Sequence, residues 1–348
     1  MKILVVRFKQ IGDALLSSVI CKSLKETYPE AEIDFVLYEH VASLFKNQNY
    51  INNVITITKA EQKNPFKYLK KVWKVTRKNY DIVIDIMSTP KSELFTLLSK
   101  KSKYRIGRYK KNRGYTYTHS IQEPSREYDK AEKFLKMLDP LINDGINVKL
   151  IENYSLAFEK SEIDIIRKKM LEAGTDFNKI LIPLAINSRR VNKVYPIDLM
   201  EELAVNLLKS YDCQIILYYS PEEKEFAKEF HKKLKNDKRV ISEIKTDSIR
   251  ELGALLSLCD IFVGNEGGPR HLAQGVDIVS FSIFSPGSNK RDWLSKNTPR
   301  HEGIEPKDIK CKNYDELSYE DKYRLITPSM ILEKIAEKMK LISKYKGK

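Results

Sequence analysis

The chain has 348 residues, of which 42% are hydrophobic and 31% are charged, and it carries a formal net charge of +15. This composition excludes a disordered chain, and the length is sufficient for two domains with their own hydrophobic cores. No apolar run approaches the ~18 residues of a membrane-spanning helix, which argues against an integral membrane protein. The chain starts on an apolar run with no signal peptide, and its four cysteines lack metal or redox spacing. We therefore expect a cytoplasmic protein without disulfides or a zinc site.

The first half of the chain alternates between apolar runs and helical patterns. This alternation predicts βαβ units on a parallel sheet. No G-x-G-x-x-G motif follows the first predicted strand, which argues against a dinucleotide oxidoreductase. The predicted strands are residues 3–6, 33–37, 54–57 and 82–86, and the predicted helices are residues 14–28, 66–78 and 91–99.

The second half repeats this architecture after a less regular stretch, residues 109–153, that holds one predicted helix at 129–138. We expect an α/β protein with two Rossmann-like doubly wound domains, residues 1–155 and 156–328, facing a central cleft, and a C-terminal helix with a basic tail at 329–348. Ligands should bind at the carboxyl ends of the strands. The predicted strands are residues 154–158, 180–186, 214–219, 261–263 and 278–284, and the predicted helices are residues 163–171, 196–208, 222–234 and 249–258 and a short helix from Pro269.

The positive charge is concentrated in the first half of the chain. Residues 1–160 contain 29 Lys and Arg against 18 Asp and Glu, whereas the remaining residues contain 33 against 29. Residues 94–122 contain eight Lys and Arg and no acid. Such a segment indicates an anionic partner, namely nucleic acid, a membrane surface or a phosphorylated substrate. A solvated lysine-rich face is the structural alternative.

A glycine-rich turn follows the strand predicted at 261–263. Gly264, Gly267 and Gly268 allow close backbone approach, and Pro269 suits the first turn of a helix. A helix N-terminus at the carboxyl end of a buried strand can bind an anion. The turn is therefore either a diphosphate pocket or a plain connection, and His271 either contacts a phosphate or belongs to a buried polar network.

Asp13 follows the first predicted strand at the start of a helix, next to Gly12. It is either a first-turn acid that matches the helix dipole or a general base that projects into the cleft. Gly12 would let substrate or backbone approach closely.

A polar loop follows the strand predicted at 180–186. Within it, Lys193 either neutralises a leaving diphosphate or is an exposed lysine, and Ser188 either bonds a phosphate or only turns the chain. Glu222 and Glu223, at a later helix start, either hold a ribose or match the helix dipole.

Several motifs are absent from the sequence. There is no D-x-D, no Walker A motif, no G-x-S-x-G and no zinc-ligand spacing. These absences argue against P-loop kinases, elbow-type serine hydrolases and zinc hydrolases. The class of enzyme that remains is a group transferase that uses helix dipoles and lysine in place of a metal.

Four segments, in this order, resemble the bacterial lipopolysaccharide heptosyltransferases, glycosyltransferase family 9. The likeness extends from Met1 to about Trp293. The segments are residues 3–36 (ILVVRFKQIGDALLSSVICKSLKETYPEAEIDFV), 79–107 (NYDIVIDIMSTPKSELFTLLSKKSKYRIG), 192–196 (NKVYP) and 264–287 (GNEGGPRHLAQGVDIVSFSIFSPG).

The resemblance implies a GT-B fold, with the acceptor in the N-terminal domain and the nucleotide-sugar in the C-terminal domain. It implies an inverting transfer without metal or cofactor, with Asp13 as general base. Many family members have Asp-Thr-Gly where this chain has Glu266, Gly267 and Gly268. The resemblance implies donor binding by Lys193 and Glu222 and acceptor binding by Lys91. With the residues described above, the expected donor residues are Ser188, Lys193, Glu222, Glu266, Gly267, Gly268 and His271, and the expected acceptor residues are Gly12, Lys91, Arg105 and Arg108.

The expected function is transfer of a heptose from ADP-heptose to a lipopolysaccharide core or lipid A-type acceptor, an acidic glycolipid. The basic N-terminal domain would then contact the anionic inner face of the cytoplasmic membrane. One rival is a nucleotide-sugar epimerase of the same fold, which needs no acceptor. The other is a non-catalytic nucleic-acid-binding protein, which the absence of any recognisable binding module argues against.

Overall fold

The computed structural model describes residues 1–111, 114–219, 223–294 and 298–345. The chain forms two compact units, Met1–Ala157 and Phe158–Lys348. Each unit contains a six-stranded, wholly parallel sheet with helices around it. None of the helices in these ranges is both long and apolar enough to cross a membrane.

The sheet of the first unit has the strand order β3-β2-β1-β4-β5-β6, which is the order of a doubly wound fold. Its central strands are almost continuously apolar because both faces are covered, and in β1 only Lys2 is exposed. The strands are β1 (Lys2–Val6), β2 (Glu32–Tyr38), β3 (Asn53–Ile57), β4 (Ile82–Asp85), β5 (Tyr104–Arg108) and β6 (His119–Ile121). The helices are α1 (Ile11–Thr27), α2 (Glu39–Ala42), α3 (Lys59–Lys63), α4 (Pro65–Thr76), α5 (Pro90–Leu98), α6 (Lys130–Leu135) and α7 (Asp139–Asn143).

The sheet of the second unit has the order β12-β11-β10-β7-β8-β9. The strands are β7 (Ile180–Ala185), β8 (Cys213–Leu217), β9 (Val240–Ile241), β10 (Ile261–Asn265), β11 (Val279–Ile283) and β12 (His301–Ile304). The helices are α8 (Lys160–Glu172), α9 (Ile197–Ser210), α10 (Lys224–Lys233), α11 (Ile249–Ser257), α12 (Gly268–Gly275), α13 (Tyr319–Arg324) and α14 (Pro328–Met339). These two sheets confirm the predicted class, an α/β protein with two Rossmann-like units.

The last long helix, α14, belongs to the core of the second unit. Ile331, Ile335 and Met339 are each fully buried, and they join the cluster that contains the inward side chains of β7, β8, β10 and β11. The C-terminal helix therefore packs within the second unit.

The prediction of a strand at residues 154–158 is wrong. This segment has no regular secondary structure, because side chains rather than a neighbouring strand bind its backbone. The Tyr50 hydroxyl donates to the Ser155 carbonyl (2.7 Å), and the Gln48 amide donates to the Ala157 carbonyl and accepts from the Ala157 N–H (3.0 Å each). The sequence patterns also missed β5, β6, β9 and β12.

Candidate functional site

The carboxyl edge of the first sheet brings together residues that are distant in sequence. In the register of the parallel strands, Val6 of β1 lies beside Asp85 of β4, which lies beside Gly107 of β5. The residues just beyond this row, including Arg7 and Arg108, therefore lie at the same edge of the sheet. This edge is where open α/β sheets bind ligands.

Asp13 lies at this edge, in the first turn of α1 and next to Gly12. Its Oδ1 accepts a 2.8 Å hydrogen bond from Nη2 of Arg7, and a quarter of its side chain is exposed. Oδ2 accepts no hydrogen bond from any residue that the structure describes. One carboxylate oxygen is thus held in place while the other remains available to a ligand.

Arg7 is a residue of this site that sequence reasoning missed. Its side chain is only 10% exposed, its guanidinium lies 4.8 Å from the centre of the Phe134 ring, and Nη1 contacts Met87 Sδ at 3.6 Å. Burial lowers the pKa of Arg7, and the ion pair with Asp13 opposes that shift. A guanidinium nevertheless remains charged in proteins, so Arg7 is a fixed cation that orients Asp13.

Asp85 organises the loop between β4 and α5. It is fully buried, and its carboxylate accepts hydrogen bonds from the Met87 and Ser88 N–H groups and from the Ser92 and Tyr117 hydroxyls, at 2.8–3.0 Å. Burial raises the pKa of Asp85 to about 6, although these hydrogen bonds favour the charged form. Asp85 therefore positions the loop that leads to Lys91 in the first turn of α5.

The three predicted acceptor cations occupy different places. Lys91 Nζ donates to the Gln62 carbonyl (3.2 Å). Arg108 lies at the carboxyl edge, where its backbone N–H donates to Ser88 Oγ (2.7 Å). Arg105 pairs with Val83 lower in the sheet and donates to backbone carbonyls of the 100–116 segment. The structure thus brings Arg108 to the edge that holds Asp13 and leaves Arg105 below it.

In the second unit, the half-buried Lys193 pairs with the buried carboxylate of Glu266. Nζ of Lys193 lies 2.6 Å from Glu266 Oε2 and 3.1 Å from Ser288 Oγ. The other carboxylate oxygen of Glu266 accepts from Ser285 N–H (3.1 Å), Ser285 Oγ (2.9 Å) and Ser288 Oγ. The pair therefore connects the loop after β7 with the turn after β10 and the loop after β11.

The charge state of this pair follows from its surroundings. Glu266 is only 5% exposed. Burial opposes ionisation of its carboxyl, but the hydrogen bonds from Lys193 and Ser288 outweigh burial and hold the pKa of Glu266 below its ordinary value. The Glu266 carboxylate is therefore charged at neutral pH, and Lys193 Nζ lies beside it at the carboxyl edge of the second sheet.

The backbone around this pair is fixed by the end of β10. Asn265 Oδ1 accepts from the Tyr195 N–H (2.9 Å), which ties the loop carrying Lys193 to the strand. The Tyr195 ring is fully buried, and its hydroxyl donates to the Ile326 carbonyl. The NKVYP element therefore positions Lys193 by burying the tyrosine two residues later.

The glycine-rich turn leads into the N-terminus of α12. Gly264 has φ +121°, and a Cβ there would lie 2.6 Å from the Ala185 carbonyl oxygen. Gly267 has φ +158°, and Ser188 Oγ lies 4.0 Å from the position of a Cβ on it. Gly268 and Pro269 then begin α12, whose first N–H groups have no helical acceptor. The predicted residues Ser188, Gly267 and Gly268 thus meet at one helix N-terminus.

His271 belongs to a buried polar network. Nη2 of Arg270 donates to His271 Nδ1 (2.6 Å) and to the Trp293 carbonyl (3.0 Å), and Nη1 donates to Gln274 (2.9 Å). Arg270 is only 1% exposed. Sequence reasoning missed Arg270. The contacts of this network explain the buried position of His271 without a bound phosphate.

The predicted ribose-binding acid Glu222 lies outside the described residues. Glu223, its alternative, accepts a 2.7 Å hydrogen bond from the Asn187 side chain. Asn187 also accepts from the Ser188 N–H (2.8 Å), so Glu223 is connected to the loop that holds Ser188. Within the described ranges, no group of three or more His, Cys, Asp or Glu could hold a metal ion.

Comparison with known proteins gives a consistent result. A model of glycosyltransferase family 9 (heptosyltransferase) matches residues 69–315. Lipopolysaccharide heptosyltransferase 1 of Campylobacter coli is 23% identical over 305 residues, covering 85% of this chain and 87% of that protein. The structure of a family 9 glycosyltransferase from Veillonella parvula has a TM-score of 0.78 at 15% identity, covering 97% of this chain and 96% of that one. An E. coli heptosyltransferase solved with ADP-2-deoxy-2-fluoro heptose has a TM-score of 0.69 at 19% identity, covering 97% and 99%.

Proposed function

Since the chain belongs to glycosyltransferase family 9, the heptosyltransferase family, we propose that it transfers heptose from ADP-heptose to an acidic lipopolysaccharide acceptor, with inversion and without a metal ion. The chain is a glycosyltransferase with the GT-B fold. The Campylobacter relative, a lipopolysaccharide heptosyltransferase, supports the heptose and the acceptor class. The E. coli structure with an ADP-heptose analogue supports the donor.

The observation that carries the mechanism is the geometry of Asp13. Arg7 holds one carboxylate oxygen at 2.8 Å, and the second oxygen accepts no hydrogen bond within the described part of the chain. A general base needs a free lone pair and a fixed orientation. Asp13 meets both requirements at the ligand-binding edge of its sheet.

The proposed reaction is a single displacement. Asp13 takes the proton of an acceptor hydroxyl as the oxygen forms a bond to the anomeric carbon of the donor heptose. The bond from that carbon to the diphosphate oxygen breaks on the opposite face, and its electron pair leaves with ADP. Because attack and departure use opposite faces, the anomeric configuration inverts.

The second unit would stabilise the leaving ADP. Lys193 supplies a positive charge, and the first N–H groups of α12, together with Ser188 Oγ, supply hydrogen-bond donors. Lysine and a helix N-terminus together can neutralise developing phosphate charge. This donor set supports the proposal that no metal ion is required.

The first unit would bind the acceptor. Arg108 lies at the same sheet edge as Asp13, with its guanidinium paired to Glu123 at 2.9 Å. Lys91 lies in the first turn of α5, and residues 1–160 have eleven more Lys and Arg than Asp and Glu. An acceptor that bears phosphates and carboxylates is attracted to such a surface. We place the reaction on the cytoplasmic side of the inner membrane, where a glycolipid acceptor and a soluble sugar nucleotide can meet.

Replacing the base tests this mechanism. Asp13→Asn removes the basic oxygen and preserves the size of the side chain, so we expect kcat to fall by ~10²–10⁴ while ADP affinity changes less than about twofold. The assay is ADP release from ADP-heptose with heptose-deficient lipopolysaccharide as acceptor. Asp164→Asn, an exposed carboxylate on α8, is the matched control and should retain full activity.

Two results would contradict the proposal. Near-normal turnover by the Asp13→Asn variant would exclude Asp13 as the base. Consumption of ADP-heptose by the wild type at the same rate without acceptor would favour the epimerase alternative.

A further inference from the structure

Helix α4 has an apolar face that the fold leaves exposed. Phe66 is 84% exposed, Trp73 53% and Leu69 44%. The opposite side of the helix packs into the first unit through Tyr68, Val72 and Val75, which are all buried. The packing of the first unit therefore explains the inner side chains and gives no reason for the outer ones.

The exposed residues form one surface because of their spacing. The steps from 66 to 69 or 70, from 67 to 70, from 70 to 73 or 74, and from 73 or 74 to 77 are each three or four residues, which places these positions on one side of a helix. We name this surface the outer face of α4. It comprises Phe66, Leu69, Trp73, Lys67, Lys70 and Lys74 of α4 and Arg77 at its C-terminal cap, all exposed.

The outer face of α4 is strongly basic. It carries four of the eight Lys and Arg in residues 59–78 and no acid. The one acid in that segment, Glu61, pairs with Lys71 at 3.5 Å. Lys67, Lys70 and Lys74 form no ion pair with any residue that the structure describes. Arg77 lies over the Trp73 ring, 4.5 Å from its centre. The face thus presents uncompensated positive charge beside exposed aromatic rings.

We propose that the outer face of α4 is a membrane-docking surface that binds an anionic lipid bilayer. Aromatic and aliphatic side chains on a lysine-rich helix can enter the boundary between headgroups and acyl chains while the lysines reach the lipid phosphates. The negative charge of such a bilayer complements the lysines, whereas a second copy of the chain would bring the same positive charge. Duplex nucleic acid would use the lysines and leave Phe66 and Leu69 exposed.

The contacts of the inner face connect this surface with the proposed acceptor site. The Tyr68 hydroxyl donates to the Lys91 carbonyl (2.8 Å), and the Tyr68 ring meets the Phe95 ring edge-on, with centroids 6.4 Å apart. Both partners belong to α5, which begins at the carboxyl end of β4. The role of docking in bringing the enzyme to a membrane-bound acceptor rests on the proposed function. Docking itself can be measured without heptose transfer.

Vesicle flotation of the full-length protein tests the docking surface. The probe is a vesicle with about one third phosphatidylglycerol in phosphatidylcholine, and pure phosphatidylcholine is the reference. Lys70→Gln/Lys74→Gln should weaken partitioning to anionic vesicles about 25-fold, because each basic residue at such a surface contributes roughly fivefold. Phe66→Ser/Trp73→Ser should weaken it on the order of 100-fold.

A matched control comes from α8, which also carries exposed apolar residues among lysines. Ile165 is 56% exposed and Leu171 54%, so Ile165→Ser/Leu171→Ser removes similar apolar surface elsewhere. This variant should bind vesicles as the wild type does. The proposal would be overturned if the α4 variants bound anionic vesicles as the wild type does, or if the wild type did not bind them. It would also be overturned if the α4 variants lost binding to duplex RNA and kept binding to vesicles.

Two further measurements make the test specific. Trp73 fluorescence should be quenched by lipids brominated near the headgroup, and the quenching should disappear in Trp73→Phe while flotation persists; quenching that survives this substitution would contradict insertion at α4. The α4 variants should also transfer heptose normally to a water-soluble, deacylated acceptor. If the wild type floats but transfers no heptose, the proposed function fails and the docking surface stands.

Discussion

At the residue scale, Lys193 has a structural role as well as the proposed binding role. Its ammonium group lies 2.6 Å from Glu266, which is almost completely buried. Removing one partner of a buried pair leaves the other charge uncompensated, which destabilises the fold. In a variant of Lys193 alone, a loss of nucleotide affinity therefore cannot be separated from a loss of stability.

We expect Lys193→Met to weaken ADP binding by about 10- to 100-fold, since a charge-assisted hydrogen bond contributes ~1.5–3 kcal/mol. It should also lower the melting temperature, because Glu266 is then buried without its partner. Lys193→Met/Glu266→Gln should recover most of the stability and none of the affinity. Titration calorimetry with ADP, together with thermal unfolding, measures both effects. Wild-type affinity in the double variant would contradict the phosphate role of Lys193.

Asp85 should make the stability of the first unit depend on pH. Burial raises its pKa to about 6 from an ordinary value of 3.8, so the folded state binds the proton more tightly than the unfolded state. The stabilisation is complete below about pH 4 and is lost as pH rises through 6. Relative to Asp85→Asn, the wild type should gain up to ~3 kcal/mol between pH 7 and pH 4.

Urea unfolding at several pH values measures this difference. Trp73 reports on the first unit when Trp293 is replaced by Phe in both proteins, because the chain has only two tryptophans. A wild-type minus variant stability that is constant from pH 4 to pH 7 would show that the hydrogen bonds to Asp85, rather than its burial, determine its protonation.

The sequence identified some site residues and missed others for a physical reason. Asp13 stands out because it lies beside Gly12 in the loop after a predicted strand, and Lys193 because it lies in a polar loop after another predicted strand, three residues before Pro196. Arg7 directly follows β1, and Asp85 is the last residue of β4. A single charged residue at the end of an apolar run has no pattern that distinguishes it. Their roles depend on the register between β1 and β4, which is a long-range property of the sheet.

At the element scale, Gly264 fixes the contact between β7 and β10. Its φ is +121°, and a Cβ would lie 2.6 Å from the Ala185 carbonyl oxygen and 2.8 Å from its nitrogen. Neither strand can move without disturbing the sheet. We expect Gly264→Ala to destabilise the second unit by about 3–5 kcal/mol or to prevent soluble expression.

Gly174→Ala is the matched control for that prediction. Gly174 also has a positive φ, +90°, but nothing lies within 4 Å of the position that a Cβ would take there. Only the backbone strain applies at this residue, so the expected loss is about 1 kcal/mol. Thermal unfolding of the two variants compares them directly, and equal losses would show that the contact with Ala185 is unimportant.

Elements with uniform apolar character could be predicted from the sequence, and mixed ones could not. The apolar runs of β1, β2, β4, β7 and β11 predict their strands to within one or two residues at each end. By contrast, β5 (YRIGR) and β12 (HEGI) mix charged residues and glycine with few apolar ones. Their strand structure comes from pairing with β4 and β11, which no local pattern contains.

At the scale of the whole molecule, each unit has its own hydrophobic core. The core of the second unit includes β7, β8, β10 and β11 and the buried side chains of α14, and all of its members follow residue 158. Each buried cluster described for the first unit lies within Met1–Ala157. Two such cores indicate that folding of one unit does not require the other.

The second unit should fold and bind nucleotide without the first. We expect the fragment of residues 158–348 to fold, because α14 supplies Ile331, Ile335 and Met339 to its core and its sheet is complete. It should bind ADP within about threefold of the full chain, since the proposed diphosphate donors, Lys193 and the N-terminus of α12, both lie within it. It should have no transferase activity, because Asp13 is absent.

Calorimetry with ADP on the fragment and on its Lys193→Met/Glu266→Gln form separates the outcomes. A folded fragment that does not bind ADP would show that the donor also needs the first unit, whereas equal binding by both forms would place the diphosphate away from Lys193.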